Sequence, residues 1–126
     1  MNDASKYLLI GGSVFAALAV VLGAFGAHGL KKILTDEMMV VYNTAVDYHF
    51  IHALGILAIG ILHHQFPESR AMIWAGIALI VGILLFSGSL YVLSITEIKK
   101  LGMITPFGGL SFIAGWLILA YGIFKL

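Results

Sequence analysis

Two histidines and a tyrosine stand close together in a sequence that otherwise avoids polar side chains over long runs. The stretch reads Tyr48-His-Phe-Ile-His52. On an α-helix, residues three apart lie about 60° from each other, so the rings of His49 and His52 could share one metal ion or one small ligand. The same side chains could equally be hydrogen-bonded packing contacts.

Composition assigns this stretch to a membrane protein. Of the 126 residues, 61% are hydrophobic and 10% are charged, against roughly a quarter charged in ordinary soluble domains. A net charge of +1 provides no basic footprint for nucleic acid, and the absence of cysteine excludes disulfides and thiolate chemistry. We therefore expect a lipid bilayer as the main partner, with no nucleic acid and no cofactor.

Four apolar segments alternate with the charged residues, over about 7–29, 40–64, 71–95 and 102–124. Each segment meets the ~20 residues that a helix needs to cross a ~30 Å hydrocarbon core. The connections are short, which makes successive helices antiparallel neighbours. The sequence thus predicts an all-α integral membrane four-helix antiparallel bundle, a single domain over residues 1–126. The first segment is longer than the ~7–15-residue core of a secretory signal, so we expect it to be retained.

Signals at the helix ends predict one start and a direction in the membrane. Thr35 precedes two acidic residues and is a good N-cap for the second helix. Lysines at loops 1 and 3 outnumber the basic residues at the opposite end by four to three, and positive charge favours the cytoplasm. This majority of one charge predicts that loops 1 and 3 are cytoplasmic.

Small residues recur at steps of three and four on three of the helices. Helices in lipid associate through close packing of such residues, and this spacing is typical of a left-handed seam. The second helix carries the same seam with Tyr48 and His52 among its small residues, which predicts that both side chains point into the bundle. The three stripes are Gly12, Ala16, Ala19, Gly23 and Gly26; Ala71, Ala75, Ala78, Gly82 and Ser89; and Gly108, Ser111, Gly115 and Gly122.

Polar side chains collect in one half of the predicted bundle, at the end that holds loops 1 and 3. This half could be a cavity for a small ligand or a proton, or it could be a set of interhelical hydrogen bonds. The candidate ligand-binding residues are His52, Tyr48, Ser89, Thr105, His28 and His49.

Other polar residues have simpler interpretations. His28 precedes Gly29 and suits a helix C-terminus, although it could also be a third metal ligand. Asp47 lies about 140° round the helix from His52 and therefore faces another way. His63 and His64 stand at a predicted helix end, where we expect both to be solvated.

Four motifs together resemble the family called "domain of unknown function 423", and they span nearly the whole chain. They are Gly23-Ala-Phe-Gly-Ala-His-Gly-Leu30, Tyr48-His-Phe-Ile-His52, Phe86-Ser-Gly-Ser-Leu-Tyr91, and Ile104-Thr-Pro-Phe-Gly-Gly109 followed by Gly115-Trp116. The family consists of small four-helix bacterial inner-membrane proteins, with a eukaryotic relative called transmembrane protein 256. The resemblance implies architecture and location in the inner (plasma) membrane, and it supplies no activity.

The resemblance also separates the two histidines. The family's pattern matches His28, Tyr48 and His52, whereas its slot at His49 also holds glutamine, a poor ligand for transition metals. This weakens a shared metal site, and we expect no metal. His52 with Tyr48 is then the inward polar contact, and His49 is a flank.

Two functions follow as expectations. One is a module that binds or transports a small ligand or a proton at a polar half-cavity around His52, since histidine titrates near neutral pH. The alternative is a structural or assembly protein that packs through its Gly/Ala seams with itself or with another membrane protein. We expect no enzyme, because the sequence lacks a phosphate-binding loop, a nucleophile elbow and a paired-carboxylate pattern.

Overall fold

A computed structural model describes residues 1–126 as four long helices joined by short loops. They are α1 (Asp3–Leu30), α2 (Asp36–Gln65), α3 (Arg70–Thr96) and α4 (Lys99–Phe124). Each is long and apolar enough to cross a membrane. The predicted all-α membrane bundle is confirmed. The helices begin one to four residues before the apolar segments that predict them, because their first turns contain polar residues that suit the headgroup layer, such as Asp3, Asp36, Arg70 and Lys99.

Local capping explains where the first two helices begin. The Asn2 side chain accepts a hydrogen bond from the backbone N–H of Ser5 at 2.8 Å. The Thr35 hydroxyl accepts one from the backbone N–H of Met38 at 3.2 Å, which confirms the predicted N-cap of α2. Both bonds satisfy amide groups that lack a partner in the first turn of a helix.

Two helices are interrupted by a π-helical turn in their polar halves. The turn in α1 covers Gly26–Leu30, and the turn in α3 covers Ile83–Ser87. A π-helical turn accommodates one extra residue within an α-helix, and such turns are frequent at functional sites. α4 instead opens with a 3₁₀ turn over Lys99–Met103 before its α-helical part, Thr105–Phe124.

The helices are arranged with α2 and α3 at the centre of the bundle. α1 packs mainly against α2, and α4 packs mainly against α3. Glycines make these approaches possible. A Cβ on Gly12 would lie 2.9 Å from the backbone nitrogen of Leu57, and a Cβ on Gly108 would lie 2.2 Å from the backbone nitrogen of Phe86. The small-residue seams of the sequence therefore face into the bundle.

The two halves of the bundle differ in their interiors. The half nearer the second loop is filled by an apolar cluster, and the half nearer loops 1 and 3 contains most of the interhelical hydrogen bonds. The cluster consists of Leu8, Ile56, Ile59, Met72, Ala75, Leu79, Ile83, Phe112 and Leu119. Apolar side chains therefore lie between the polar half of the bundle and its second-loop end.

Candidate functional site

His52 is a buried histidine whose two ring nitrogens are both hydrogen-bonded. Its Nδ1 lies 2.7 Å from the carbonyl oxygen of Tyr48, and its Nε2 accepts a hydrogen bond from the indole N–H of Trp116 at 3.0 Å. A carbonyl only accepts and an indole N–H only donates, so these partners assign the proton to Nδ1 and define a neutral imidazole. The Phe112 ring stacks on the imidazole with the ring centroids 3.6 Å apart. The predicted inward orientation of His52 is confirmed.

Tyr48 does not point into the bundle, and the prediction that it does is wrong. Its side chain is 43% exposed. The ring packs over Phe86 at 4.5 Å between centroids and forms the outer layer of the aromatic group that covers His52. Gly108 draws α4 toward α3, so α4 does not close over this side of α2.

His49 is buried, and its assignment as a flank is also wrong. Only 3% of the residue is exposed. Its Nδ1 lies 2.8 Å from the hydroxyl of Tyr91, and its ring meets Phe15 of α1 edge to face. Because α2 is covered by both α1 and α3, its buried arc is wide enough to include both histidines. The remaining nitrogen of His49, Nε2, is buried and makes no hydrogen bond of ordinary length, although the Phe15 backbone lies near enough to interact with the ring.

A pair of tyrosines extends the His49 contact toward the end of the bundle. The rings of Tyr91 and Tyr42 lie 5.4 Å apart, and the hydroxyl of Tyr42 donates to the carbonyl of Leu22. Gly26 is required opposite Tyr42, since a Cβ there would lie 2.2 Å from the tyrosine ring. The π-helical turn of α1 therefore begins where the buried phenol ring needs room.

The hydroxyl groups of the polar half form interhelical hydrogen bonds. Ser89 and Thr105, two of the candidate residues, lie 2.6 Å apart and bond α3 to α4. Ser87 donates to the carbonyl of Ala45 at 2.7 Å, which ties α3 to α2. The side chains that contact the His52 ring are instead aromatic: Tyr48, Phe112 and Trp116.

His28 lies apart from the other candidates. It is exposed on the π-helical turn of α1, at the surface of the bundle. The structure has no group of three or more His, Asp or Glu side chains placed to hold a metal ion. The rings of His49 and His52 are instead directed to different neighbours, Tyr91 and Trp116.

A third buried histidine, His63, lies at the opposite end of α2, and the expectation that it is solvated is wrong. Its Nδ1 is 2.7 Å from the hydroxyl of Ser5, its Nε2 is buried without a partner, and 1% of the residue is exposed. His64 is exposed as expected. His63 follows His49 by two heptads and therefore shares its face of the helix, and the structure shows that this face is buried.

Three cavities open at the ends of the bundle and away from His52. The largest, about 550 Å³, lies beside the second loop and the end of α4, and one of about 340 Å³ lies beside Lys31 and Asn43. A third cavity of about 110 Å³ is enclosed by the end of α3 and the start of α2, where Ser94 and Thr35 line it. None of these three is lined by the six predicted site residues.

The chain is similar in sequence to one family profile and to several bacterial membrane proteins. The sequence profile of the family described as "Protein of unknown function (DUF423)" matches residues 22–109. A UPF0382 membrane protein of Staphylococcus haemolyticus is 47% identical over 120 residues, which are 95% of this chain and 97% of the relative. The UPF0382 membrane protein YwdK of Bacillus subtilis is 44% identical over 95% of this chain and 98% of its own length. No solved structure matches the chain.

Proposed function

We propose a function from the geometry of the buried histidines of this chain, which belongs to the family described as "Protein of unknown function (DUF423)". In this proposal the protein is a multi-pass membrane protein that binds a proton or a small polar molecule at His49. Its helical spans favour the plasma membrane over a bacterial outer membrane, whose spanning proteins are β-barrels.

The observation that carries the proposal is the Nε2 of His49, which is buried and makes no hydrogen bond of ordinary length, with only the Phe15 backbone near enough to interact with the ring. His63 has a similar Nε2 at the opposite end of α2, so it is the second histidine to follow in the test. Leaving a buried polar atom without a hydrogen bond costs about 1–3 kcal/mol, and the bilayer core contains no water to offset this. If Tyr91 donates to Nδ1, then Nε2 carries a hydrogen and requires an acceptor. If Nδ1 donates to Tyr91, then Nε2 is a free lone pair that can take up a proton or accept from a donor.

Access to His49 is favoured from the end that holds loops 1 and 3. Ser94 lines the cavity of about 110 Å³ at that end and donates to the carbonyl of Tyr91 at 2.8 Å. Tyr91 in turn contacts His49. In the other direction the fully buried side chains of Ile56 and Ile59 close the route. This asymmetry supports binding from one side rather than passage through the bundle.

Binding is proposed rather than catalysis. The groups around His49 are phenol and phenyl rings, and no serine, threonine or carboxylate approaches the imidazole in the arrangement of a nucleophile and its base. The His49 imidazole can therefore take up a proton or form a hydrogen bond with a ligand, and no second reactive group stands beside it.

The test is ¹⁵N NMR of the histidine side chains in lipid nanodiscs, with signals assigned by single substitutions. We expect the His49 ring signals to move between pH 8 and pH 5, or on addition of formamide, a small molecule that both donates and accepts. His52 is the internal control, since both of its nitrogens are bonded, and its signals should stay. A Tyr91→Phe variant should alter the response of His49 alone. If His49 responds to neither probe, or only as His52 does, the proposal fails.

A structural or assembly role is the second candidate. The Gly/Ala seams do not supply its surface, since Gly82 packs against Phe112 and Gly115 packs against Leu79 inside the bundle. Its surface would instead be the exposed apolar side chains on the outer face of α2, such as Leu54 and Ile61.

A further inference from the structure

The largest cavity of the protein lies at the end of the bundle that holds the second loop. Its volume is about 550 Å³, and it lies between this loop and the end of α4. α2 ends at Gln65, α3 begins at Arg70 and α4 ends at Phe124, so three helices leave the apolar layer beside it. His49 lies in the other half of the bundle, and this cavity is therefore independent of the function proposed above.

Exposed aromatic side chains place this end of the bundle at the boundary between lipid and water. Trp74 lies one turn into α3, Tyr7 lies in the second turn of α1, and Tyr121 lies in the last turn of α4, and all three are exposed. Tryptophan and tyrosine are enriched at this boundary in membrane proteins. Tyr121 itself lines the cavity, so phospholipid headgroups surround the cavity when the protein is in a bilayer.

Two cations from distant parts of the chain line this cavity. Arg70 is the first residue of α3, and Lys125 follows the last residue of α4. The Nζ of Lys125 lies 5.8 Å from the centroid of the Tyr121 ring, a cation–π contact that keeps the ammonium beside the cavity. No carboxylate oxygen lies within 4.0 Å of either cation, so both charges are available to a ligand.

The remaining lining groups suit a phosphate group that is attached to an apolar molecule. The hydroxyl of Ser69, the N-cap of α3, makes no capping hydrogen bond and is free to donate. Phe66, Pro67 and Ala71 form an apolar wall on the same cavity. Glu68 also lines it, and with the two cations it leaves a net side-chain charge of +1, which one monoanionic headgroup neutralises.

We propose that this cavity binds the headgroup of an anionic phospholipid with a single negative charge, the class that includes phosphatidylglycerol. Arg70 and Lys125 bind the phosphate oxygens, and the planar guanidinium of Arg70 can donate two parallel hydrogen bonds. Basic pockets between helices at a membrane surface recognise lipid phosphates in this way. A choline lipid binds less well, because its quaternary ammonium lies beside the same two cations.

Native mass spectrometry of the full chain in detergent, titrated with lipid, counts the bound molecules and gives their Kd. We expect one phosphatidylglycerol per chain, bound more tightly than phosphatidylcholine. Equal binding of the two lipids, or binding of neither, would overturn the proposal. Inorganic phosphate should compete only at far higher concentrations, because it lacks the apolar contacts. If it displaces the lipid at the lipid's own concentration, the cavity belongs to a soluble phosphate compound and the lipid assignment is wrong.

Charge substitutions test whether the lipid occupies this cavity. The double variant Arg70→Gln with Lys125→Gln should weaken phosphatidylglycerol binding about thirtyfold. Lys99→Gln with Lys100→Gln is the matched control, since it removes two exposed cations at the opposite end of the bundle, and it should leave the Kd unchanged.

A third variant gives the opposite sign. Glu68→Gln removes the carboxylate from the cavity and should tighten binding about fivefold. Circular dichroism checks that each bundle is intact. Equal losses in the two double variants, no loss in either, or weaker binding by Glu68→Gln would overturn the proposal, whatever the outcome of the histidine NMR.

Discussion

His52 and His49 lie three residues apart on α2 and are equally buried, yet their rings have different surroundings. His52 faces the α3–α4 side, where the indole N–H of Trp116 donates to its Nε2 and the Phe112 ring stacks on its face. His49 faces α1 and α3, where Tyr91 occupies one nitrogen only. Burial alone therefore does not distinguish the two histidines. Under the proposed function the distinction lies in the second nitrogen, which is hydrogen-bonded in His52 and not in His49.

The comparison extends to the rest of the bundle. Ser87, Ser89 and Thr105 resemble His52, because each hydroxyl bonds to a group on a neighbouring helix. His63 resembles His49, because it has one bonded nitrogen and one without a partner. The polar half of the bundle thus contains mainly structural hydrogen bonds, with one histidine left open within it.

The largest effect is expected where α4 is held against the backbone of α3. Gly108→Ala places a Cβ 2.2 Å from the Phe86 nitrogen, and overpacking of this kind costs about 1–3 kcal/mol. We expect α4 to shift and to carry Trp116 away from His52. The free energy of unfolding in bicelles and the Trp116 fluorescence, in a Trp74→Phe background, measure the two effects.

The neighbouring glycine is the matched control for this substitution. At Gly109 an added Cβ would lie 3.8 Å from the nearest atoms, in the Phe86 ring, which is an ordinary contact. Gly109→Ala should therefore change stability by less than about 0.5 kcal/mol. Equal stabilities for the two alanine variants would mean that the close approach of α4 to α3 does not hold Trp116 and Phe112 against His52.

The two histidines should also differ in what their removal costs. His52→Phe leaves the Trp116 N–H without an acceptor, and we expect a loss of about 1–3 kcal/mol. His49→Phe frees the Tyr91 hydroxyl but also removes the partnerless nitrogen, so the loss should be below about 1 kcal/mol. Unfolding free energies of the two variants provide the comparison. A larger cost at His49 would reverse the assignment of structural and open histidines.

The smallest effect is expected for a single hydroxyl pair of the polar half. A double-mutant cycle with Ser89→Ala and Thr105→Ala should give a coupling energy of about 0.6 kcal/mol, the average for interhelical hydrogen bonds in membranes. Ser87 is the control, since its hydroxyl bonds to Ala45 instead. The cycle of Ser87→Ala with Thr105→Ala should show no coupling, and equal coupling in both cycles would contradict a specific bond.

Much of the fold could be predicted from the sequence because it depends on local properties. The lengths of the apolar segments predict the four spans, and Thr35 predicts the start of α2. The spacing of the glycines predicts which helix faces pack against each other. The inward orientation of His52 is also predicted from a local property, its seam position among small residues, and the structure agrees.

The errors at Tyr48 and His49 have a common cause, whereas the error at His63 comes from its place at a predicted helix end. Helical phase gives the direction of a side chain relative to its own helix, whereas burial depends on how many neighbours cover that direction. α2 has neighbours over the arc that holds His49 and His63, and it lacks one over the arc that holds Tyr48. The roles of Tyr91 and Trp116 could not be found from spacing, because both contact α2 from distant parts of the chain.

The π-helical turns of α1 and α3 have a consequence for how this chain can change in length. Each turn holds one residue more than a regular helix would need. Losing a residue within Ile83–Ser87 would therefore restore an α-helix and leave the flanking faces of α3 in phase, and losing one within Gly26–Leu30, the last turn of α1, would leave the rest of α1 unchanged. α2 has no such turn between Asp36 and Gln65. A deletion there would rotate every later residue by about 100° and turn His63 away from Ser5. Natural deletions within the spans should therefore fall in α1 and α3, and α2 should keep its length.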